Sequence, residues 1–384
     1  MKIAMFGQKR IPSREGGVEI VVEELSTRMA MAGHDVTCYN RRGHHVSGSE
    51  YDTKEKKEYK NVRIKSVPTI EKKGLAAVSS SFFAALCSAF GGYDVVHIHA
   101  EGPAAFCFIP KIFRKKVIVT VHGLDWQREK WKAGFGSKYI HFGEKMAVKY
   151  ADEIIVLSSE VKKYFKDTYG RKTRYIPNGV TRPDKIEADL IEKKFGLKKG
   201  SYILYLGRIV PEKGEHYLIE AFKNIDTDKR LVIAGGSSDT DEYMDKLKQM
   251  AGQDDRIVFT GFVQGQLLQE LYSNAYVYVL PSDLEGMPLS LLEAMSYGNC
   301  CLTSDIKECT EVVGNKAVAF KKSDVKDLQD KLQKLCDDSK LVDNYKKQAA
   351  DYICKKYDWN EIVDKTLQLY RSCLLYTSDA ADEA

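Results

Sequence analysis

The sequence predicts an α/β protein with two domains, each built on a parallel sheet. Short apolar runs alternate with amphipathic stretches along most of the chain, which is typical of strand–helix units whose parallel strands are covered on both faces. The 384 residues exceed what one hydrophobic core usually holds. Hydrophobic residues form 43% and charged residues 29% of the chain, a composition typical of soluble globular proteins.

The first predicted strand is Lys2–Gly7 (KIAMFG), and no signal peptide is expected before it. A polar loop follows, and then a helix whose apolar face carries Val18, Val21, Val22, Leu25 and Met29. Gly16 and Gly17 therefore lie at a helix N-terminus, where the backbone can approach a phosphate closely. The alternative is a surface loop that uses glycine only to turn. The spacing does not match G-x-G-x-x-G, so a nicotinamide or flavin site is poorly supported.

Three histidines lie in or after predicted strands of the amino-terminal half. In Tyr93–Ala100 (YDVVHIHA), His97 and His99 alternate and point to the same side of the strand. A metal site is one alternative, but no cysteine or carboxylate set with zinc spacing completes it, so hydrogen-bonded histidines are favoured. Lys116–Trp126 (KVIVTVHGLDW) contains a further strand followed by His122. Ligands of open α/β sheets gather beyond the carboxyl ends of strands, which makes His122 a candidate site residue.

Charge and cysteine content limit the possible partners. The net charge is only +5 among 59 basic and 54 acidic side chains, which does not indicate a nucleic-acid partner. Basic clusters at Lys54–Lys65 and Lys111–Lys116 are either solvated surface or contacts for anionic lipid headgroups. Leu75–Phe90 contains four serines and is too short to span a membrane, so it is predicted to be a core helix. Nine scattered cysteines without a C-x-x-C pair predict reduced thiols in the cytoplasm. The basic clusters extend this expectation to peripheral contact at the inner membrane face.

The strand–helix pattern continues in the second half. Predicted strands are Glu153–Ser158, Tyr202–Arg208, Leu231–Gly236, Ile257–Phe262, Tyr276–Leu280 and Cys300–Thr303, and predicted helices include Tyr243–Ala251, Leu267–Asn274, two within Asp324–Tyr357, and Trp359–Tyr370. A polar stretch after Gly179 predicts the domain change. We therefore expect domains at residues 1–180 and 181–355, and a helix at 356–373 that returns to the first domain. Residues 374–384 resemble translated adapter sequence and are excluded from the fold prediction.

Two cations follow the strand Tyr202–Arg208 (YILYLGR). The loop IVPEKG separates Arg208 from Lys213 by five positions. Arginine offers a planar fork and lysine a compact charge, so a strand end that carries both suits a phosphate. Taken singly, either cation is equally consistent with a solvated surface.

The segment Pro281–Gly298 (PSDLEGMPLSLLEAMSYG) carries two acidic residues around a predicted helix start. Glu285 lies in the loop, Pro288 suits the first helical turn, and Glu293 lies about five residues into the helix. Its carboxylate is then roughly 7–8 Å along the axis from the open N-terminus, which attracts anions. A diphosphate at this terminus, a sugar hydroxyl at Glu285 and a ribose at Glu293 explain the pattern. The alternative is two surface glutamates that flank an ordinary amphipathic helix.

LGRIVPEKG followed by EGMPLSLLE resembles the donor half of the retaining glycosyltransferases of family 4, which have the GT-B fold of two facing Rossmann-like domains and an interdomain cleft. Glu285 and Glu293 match the E-x7-E spacing of that family. The resemblance implies that Arg208 and Lys213 bind the donor diphosphate, Glu285 the donor sugar and Glu293 the ribose hydroxyls.

Further roles are implied by the same resemblance. The backbone around Gly286, Met287, Pro288 and Leu289 would face the sugar and diphosphate, the Gly16-Gly17 loop would touch the diphosphate, and Phe262 and Val263 would lie near the nucleobase. His122 would lie close to the acceptor and the donor sugar. HGLDWQREKW resembles a bacterial branch linked to rhamnosyl transfer onto surface polysaccharides. Asp125, Trp126 and Trp131 would then shape the acceptor pocket, with packing as the alternative role for the tryptophans.

The predicted function is therefore a retaining transfer of a sugar from a nucleotide-diphosphate donor to a glycan or lipid-linked acceptor. His122, Arg208, Lys213 and Glu285 are the candidate catalytic residues. No cofactor or metal is expected, because the cations and N–H groups can carry the charge of the leaving diphosphate and no Asp-x-Asp motif is evident. Two alternatives are a sugar-nucleotide epimerase of the same fold and a catalytically silent partner subunit.

Overall fold

The computed structural model describes residues 1–43, 56–72, 74–128, 135–236 and 241–375. The chain divides into two compact units: unit 1 comprises Met1–Asn178 with Trp359–Ala384, and unit 2 comprises Gly179–Asp358. The sequence predicts these boundaries at residues 180 and 355. The proposed adapter-like segment 374–384 lies outside the described residues except for its first two positions.

Unit 1 contains an eight-stranded sheet within the described residues, with the order β3-β4-β2-β1-β5-β6-β7-β8. Its pairings are parallel except for the antiparallel pair of β3 and β4. The strands are β1 Lys2–Phe6, β2 Asp35–Arg41, β3 Glu58–Tyr59, β4 Val62–Val67, β5 Val95–His99, β6 Lys116–Val121, β7 Glu153–Val156 and β8 Arg174–Tyr175.

The helices of unit 1 connect these strands and cover the sheet. They are α1 Gly17–Met31, α2 Leu75–Phe90, α3 Glu101–Ala104, α4 Phe108–Ile112, α5 Phe135–Tyr150 and α6 Ser159–Tyr169, and the last helix of the chain, α15 Trp359–Leu375, also belongs to this unit. A 3-10 turn, Asp125–Gln127, follows β6. Buried Val96, Val119 and Ile154 lie on neighbouring strands in the central hydrophobic cluster of the unit.

Helix α2 confirms the prediction of a core helix at Leu75–Phe90, and its buried side carries small residues. Each serine hydroxyl there donates to a carbonyl one turn earlier, for example Ser80 to Ala76 and Ser81 to Ala77, both at 2.7 Å. These bonds satisfy the hydroxyls of the buried serines of α2, Ser80, Ser81 and Ser88. Among the described residues, no helix combines the length and apolar character that crossing a membrane requires.

Unit 2 contains a six-stranded sheet, and all pairings among its described strands are parallel, in the order β11-β10-β9-β12-β13-β14. The strands are β9 Tyr202–Leu206, β10 Arg230–Ala234, β11 Ile257–Gly261, β12 Val277–Leu280, β13 Cys300–Ser304 and β14 Val318–Phe320. The helices are α7 Leu190–Phe195, α8 Glu215–Lys223, α9 Asp241–Ala251, α10 Gly265–Asn274, α11 Leu289–Ser296, α12 Lys307–Val313, α13 Val325–Asp337 and α14 Ser339–Lys356.

The strand order reverses direction once in each unit. In unit 2, β9 pairs with β10 on one side and β12 on the other, and in unit 1, β1 lies between β2 and β5. At such a reversal, the loops that leave the two central strands diverge to opposite faces and open a crevice at the carboxyl edge of the sheet. The predicted fold class, α/β with parallel sheets in two domains, is confirmed.

Gly143 marks a close approach between α5 and α3. A Cβ atom at this position would lie 2.0 Å from the carbonyl oxygen of Glu101, which is backbone and cannot move aside easily. We expect Gly143→Ala to lower the free energy of unfolding by about 1–3 kcal/mol, the usual cost of overpacking. The control is Gly92→Ala, since nothing lies within 4 Å of a Cβ there. Thermal unfolding of both variants measures the difference, and equal melting temperatures would contradict the proposed close packing.

Candidate functional site

The loops that follow β9 and β12 are joined at the carboxyl edge of the unit 2 sheet. A 3-10 turn at Pro211–Lys213 ends in Gly214, whose φ is +74°. A Cβ at Gly214 would lie 2.2 Å from the carbonyl oxygen of Pro281, so only glycine fits the conformation and the space. The backbone N–H of Asp283 donates to the carbonyl of Glu212 at 2.9 Å. The two loops therefore form one continuous backbone surface.

Lys213 and Glu285, one from each loop, form an ion pair with an Nζ–Oε1 distance of 2.5 Å. Their side chains are only 14% and 7% exposed, and the Ser282 hydroxyl donates to the same carboxylate oxygen at 2.7 Å. In such surroundings each charge depends on the other, because an unpaired buried charge is costly. The structure thus brings together two residues that the sequence predicts to be in one site.

Glu293 is the fifth residue of α11, and it is half-buried. The hydroxyl of Tyr272 donates to its Oε2 at 3.2 Å, and the Tyr272 ring stacks on Tyr297 with centroids 5.3 Å apart. The sequence places Pro288 in the first helical turn. In the structure Pro288 is instead the residue before the helix, with extended ψ of 99°, and the helix begins at Leu289.

The other predicted donor residues lie along the same edge of the unit 2 sheet. Gly286, Met287, Pro288 and Leu289 are buried and connect the Glu285 loop to α11. Phe262 is half-buried and Val263 is buried, and both follow the edge strand β11. Strand β10 lies between β11 and β9. Their contact with a nucleobase stays a prediction.

Beneath Arg208 lies a buried tyrosine that the sequence reasoning did not identify. Tyr205 OH lies 3.0 Å from the carbonyl oxygen of Arg208 and 2.7 Å from Oε1 of Glu215. Both Tyr205 and Glu215 are fully buried, and the Arg208 side chain is half-buried. From the sequence alone, a tyrosine within a strand is predicted to be a core residue. The signal that could have indicated a polar partner for Tyr205 is the acidic residue Glu215, directly after the Lys213-Gly214 turn.

The predicted hydrogen bonding of the unit 1 histidines is confirmed. His97 Nε2 lies 2.6 Å from Thr120 Oγ1, and His97 Nδ1 lies 2.5 Å from the hydroxyl of Tyr370 on α15. The rings of His97 and His99 lie with centroids 4.1 Å apart, and His99 Nδ1 is 3.1 Å from His122 Nε2. Burial lowers the pKa of His97 to about 3 and that of His122 to about 4, and it lowers the pKa of His99 well below its usual value. All three rings are therefore neutral at pH 7.

The hydrogen-bond count assigns the tautomer of His122. His99 Nε2 is buried without a partner among the described residues. A buried N–H without an acceptor is rarer than an unused lone pair, so the proton of His99 belongs on Nδ1. His99 then donates to Nε2 of His122, and His122 carries its own proton on Nδ1. Neutral His122 offers a hydrogen-bond donor through this nitrogen.

The predicted acceptor residues Asp125 and Trp126 lie in the 3-10 turn after His122. The Asp125 backbone N–H donates to Oε2 of buried Glu101 at 2.8 Å, and its carboxylate pairs with Arg128 Nε at 2.8 Å. Trp126 packs on His141 with centroids 4.8 Å apart, and its indole N–H is buried without a partner among the described residues. Packing thus accounts for part of the role of Trp126. Trp131 lies outside the described residues.

Glu101 is a further residue that the sequence reasoning missed. Burial, followed by the charges of Asp125 and Glu144, raises the pKa of Glu101 well above its ordinary value. The carboxyl group of Glu144 is also fully buried, and it accepts hydrogen bonds from Tyr164, at 2.8 Å, and from Tyr169. Glu101 and Glu144 are 43 positions apart in sequence, so no local pattern signals their proximity.

Gly16 and Gly17 lie at the N-terminus of α1, as the sequence predicts. The surroundings differ from a simple phosphate site, because the carboxylate of Glu19 occupies them. Its Oε1 accepts the backbone N–H of Lys9 at 2.8 Å, and its Oε2 would lie 2.6 Å from a Cβ at Gly16. Contact between this loop and a diphosphate stays a prediction.

The described residues contain neither a candidate metal-binding cluster nor a disulfide bond. No group of three or more His, Cys, Asp or Glu side chains there has an arrangement that suits a metal ion. The nine cysteines are free thiols, and burial raises the pKa of Cys38, Cys107 and Cys300 to about 12.

Two family descriptions together match most of the chain. Residues 15–182 match Glycosyltransferase Family 4, and residues 187–370 match Glycosyl transferases group 1. The chain is also 30% identical over 300 residues to the UDP-Gal:alpha-D-GlcNAc-diphosphoundecaprenol alpha-1,3-galactosyltransferase of Escherichia coli, an alignment that covers 72% of this chain and 75% of that protein.

Solved structures share the fold of this chain. Sucrose-phosphate synthase from Thermosynechococcus elongatus has a TM-score of 0.81 at 21% identity, over 98% of this chain and 99% of that one. Anabaena HepE in complex with UDP-glucose has a TM-score of 0.79 at 16% identity, over 97% of this chain and 100% of that one. With the same two-domain α/β fold, the family matches and the galactosyltransferase relative, the chain belongs to the GT-B glycosyltransferases of the family 4 and group 1 type.

Proposed function

We propose that this glycosyltransferase moves a sugar, with retention of anomeric configuration, from a nucleotide-diphosphate donor to a glycan or lipid-linked acceptor. The observation that carries the donor half is the joined pair of loops in unit 2, which holds Lys213 against Glu285; the first loop also contains Arg208, and the second leads into α11. HepE was solved with UDP-glucose, and the Escherichia coli relative is named for a UDP-galactose donor. Both support a nucleotide sugar as the donor class.

In this proposal Lys213 changes partner when the donor binds. Its ammonium group is held by Glu285 in the structure and turns to the diphosphate, which carries more negative charge. Glu285 then accepts a hydrogen bond from a sugar hydroxyl. Glu293, oriented by Tyr272, binds the ribose hydroxyls.

The diphosphate gains negative charge as the glycosidic bond breaks. Arg208, Lys213 and the N–H groups at the start of α11 therefore stabilise the transition state more than the ground state. A diphosphate oxygen takes the proton of the acceptor hydroxyl, which attacks the anomeric carbon on the face that the diphosphate leaves. His122 donates a hydrogen bond through Nδ1 to the acceptor, and Asp125 and Trp126 line the acceptor pocket.

We further propose rhamnose as the donor sugar and a bacterial surface polysaccharide, or its lipid-linked precursor, as the product. The motif HGLDWQREKW supports the sugar, and the undecaprenol-linked acceptor in the name of the Escherichia coli relative supports the lipid-linked precursor.

Removing either cation is expected to slow transfer. Arg208→Ala and Lys213→Ala should each lower turnover by roughly 10²-fold or more, because charge stabilisation in the transition state is lost. Turnover is measured with UDP-, dTDP- and GDP-linked sugars, including dTDP-rhamnose, after thermal shift identifies the nucleotide that stabilises the wild type. Lys198→Ala is the control, since its side chain is 75% exposed in the same unit. Near-normal turnover in both cation variants would contradict the proposed donor site.

We propose that transfer needs no divalent metal, because Arg208, Lys213 and the N–H groups at the start of α11 carry the charge of the leaving diphosphate. Activity is therefore expected to be unchanged in excess EDTA and not to rise with added Mg²⁺ or Mn²⁺. Initial rates with and without EDTA measure this. A loss of activity that added metal restores would show that a metal takes part.

The acceptor class suggests a membrane contact, and a surface of unit 1 fits it. Phe90, Ile112 and Phe113 are 72%, 68% and 44% exposed, and the two phenylalanine rings lie 4.6 Å apart. Arg114 is exposed beside them and Lys115 is half-buried, whereas Lys111 is already paired with Asp152 at 2.6 Å. We propose that this apolar and basic surface contacts anionic lipid. The other predicted cluster, Lys54–Lys65, begins outside the described residues.

Substitutions in that surface are expected to weaken membrane binding. Phe90→Ser with Phe113→Ser should reduce binding to vesicles that contain phosphatidylglycerol by about tenfold, because apolar burial in the bilayer interface is lost. Met31→Ser is the control, since Met31 is 65% exposed at the end of another helix. Vesicle co-sedimentation at low and high salt measures the binding. Equal binding by the control and the double variant would contradict the proposed surface.

A further inference from the structure

A chain of four polar contacts runs from His216 to the backbone of Arg208. His216 Nδ1 lies 2.7 Å from Tyr243 OH, which lies 3.2 Å from Oε2 of Glu215. Oε1 of Glu215 lies 2.7 Å from Tyr205 OH, which lies 3.0 Å from the carbonyl oxygen of Arg208. The chain therefore ends under a residue of the proposed donor site.

The number of hydrogens decides the charge of Glu215. Each tyrosine hydroxyl supplies one hydrogen, the His216 Nδ1 can supply one, and the Arg208 carbonyl supplies none. If Glu215 is ionised, only three hydrogens are available for the four contacts. In one contact, two oxygen atoms then face each other with no hydrogen between them. If Glu215 is protonated on Oε1, it donates to Tyr205, Tyr205 donates to Arg208, Tyr243 donates to Oε2, and His216 donates to Tyr243. All four contacts are then hydrogen bonds.

We propose that Glu215 is a positioning residue that carries a proton in the folded protein and, through Tyr205, holds the backbone of Arg208 for the donor diphosphate. The positioning part rests on the proposed function. The protonation rests on the contacts and on burial alone, since the Glu215 side chain is fully buried and its hydrogen-bond partners are hydroxyl groups rather than cations.

The surroundings of Glu215 favour the neutral acid. Burial raises the pKa of Glu215 to about 8, and the hydrogen bonds from Tyr205, its own backbone N–H and Tyr243, with the charge of Lys213, oppose this rise only in part. Burial, followed by Glu215 itself and then by Tyr278 and Glu285, raises the pKa of Tyr205 well above its ordinary value, so Tyr205 does not ionise in place of Glu215. Burial also lowers the pKa of His216, with Lys246 adding to the effect and Asp283 and Glu220 opposing it.

Gly207 supplies the space for the hydroxyl at the centre of this chain. A Cβ at position 207 would lie 2.8 Å from the Tyr205 hydroxyl oxygen, which is closer than such contacts allow. The glycine between Leu206 and Arg208 thus leaves room for the contact between Tyr205 and the Arg208 carbonyl. A side chain at position 207 would therefore disturb the contact between the Tyr205 hydroxyl and the Arg208 carbonyl.

The protonation has a defined pH signature. Because the pKa of Glu215 rises from 4.5 in the unfolded chain to about 8 on folding, the folded protein binds more protons in this range. The contribution of Glu215 to the free energy of unfolding therefore falls as the pH rises from about 4.5 to about 8, and it is constant above about pH 8. Glutamine has the shape of the neutral acid and does not titrate. The melting temperature of Glu215→Gln, relative to that of the wild type at the same pH, is therefore expected to rise between pH 5 and pH 8.

Infrared spectroscopy of the ligand-free full chain tests the proton directly. The difference spectrum of wild type minus Glu215→Gln should contain the carbonyl band of a protonated carboxyl group at pH 7, and the band should vanish with a midpoint near pH 8. In Tyr205→Phe the band should move to higher frequency, because the acid loses its acceptor. Absence of the band at pH 7, or a midpoint near 4.5, would overturn the protonation.

Glu270 provides a matched control in the same unit. It is fully buried, but its Oε2 accepts the backbone N–H groups of Asp189 at 2.9 Å and Ile191 at 3.0 Å. Burial opposes ionisation, yet these bonds and the one from Gln266 outweigh it and lower the pKa of Glu270. Glu270→Gln should therefore lose stability at pH 7 and show no carboxyl band. Equal stability losses for Glu215→Gln and Glu270→Gln would contradict a neutral Glu215.

Nucleotide binding tests the positioning role separately. Tyr205→Phe is expected to weaken the affinity for the preferred nucleotide among UDP, dTDP and GDP roughly threefold to tenfold, the value of one hydrogen bond. Glu215→Gln should keep wild-type affinity at pH 7 and lose less affinity than the wild type above pH 8. Unchanged affinity in Tyr205→Phe would overturn the positioning role. Failure of the wild type to bind any of the three would overturn the donor function with it, while the infrared band still decides the protonation.

Discussion

The reversal of strand order between β9 and β12 is the constraint on which the candidate donor site depends. The loops that leave these parallel strands meet at one edge of the sheet, close enough that Gly214 leaves no room for a Cβ beside Pro281. That backbone contact, with the hydrogen bond from Asp283 to Glu212, joins two segments that are about seventy residues apart in sequence. Lys213 and Glu285 are paired because the backbones that carry them are already in contact.

Buried ionisable groups in unit 2 have three kinds of surroundings. Lys213 and Glu285 form an ion pair, whereas Glu270 accepts backbone N–H groups, which favour its charged form. Glu215 has only hydroxyl partners and its own N–H, and burial favours its neutral form. The difference lies in the donors available: full charges and backbone N–H groups stabilise a buried carboxylate more than two tyrosines do.

Unit 1 applies the same rule to histidine. His97, His99 and His122 lie in succession at the carboxyl ends of β5 and β6, and burial keeps them neutral. Tyr370 reaches His97 from α15, a helix that follows the whole of unit 2 in sequence. The hydroxyl of Tyr370 on α15 thus supplies the Nδ1 partner of His97, a residue of β5 in the first hundred residues of the sequence.

The sequence by itself determined the two-domain α/β class and the approximate strands and helices, and it marked Lys213 and Glu285 as candidate site residues, because hydrophobic period and glycine, proline and charge spacing are local signals. Tertiary structure alone decided which charges meet. The pairing of Lys213 with Glu285, the hydrogen bond from the backbone N–H of Lys9 to Glu19, and the contacts of Tyr205 with Glu215, Glu101 with Asp125 and Tyr370 with His97 join residues whose separation carries no period. A buried tyrosine or glutamate looks the same in sequence whether it packs, titrates or supports a site, and only its neighbours, brought by the fold, distinguish these roles.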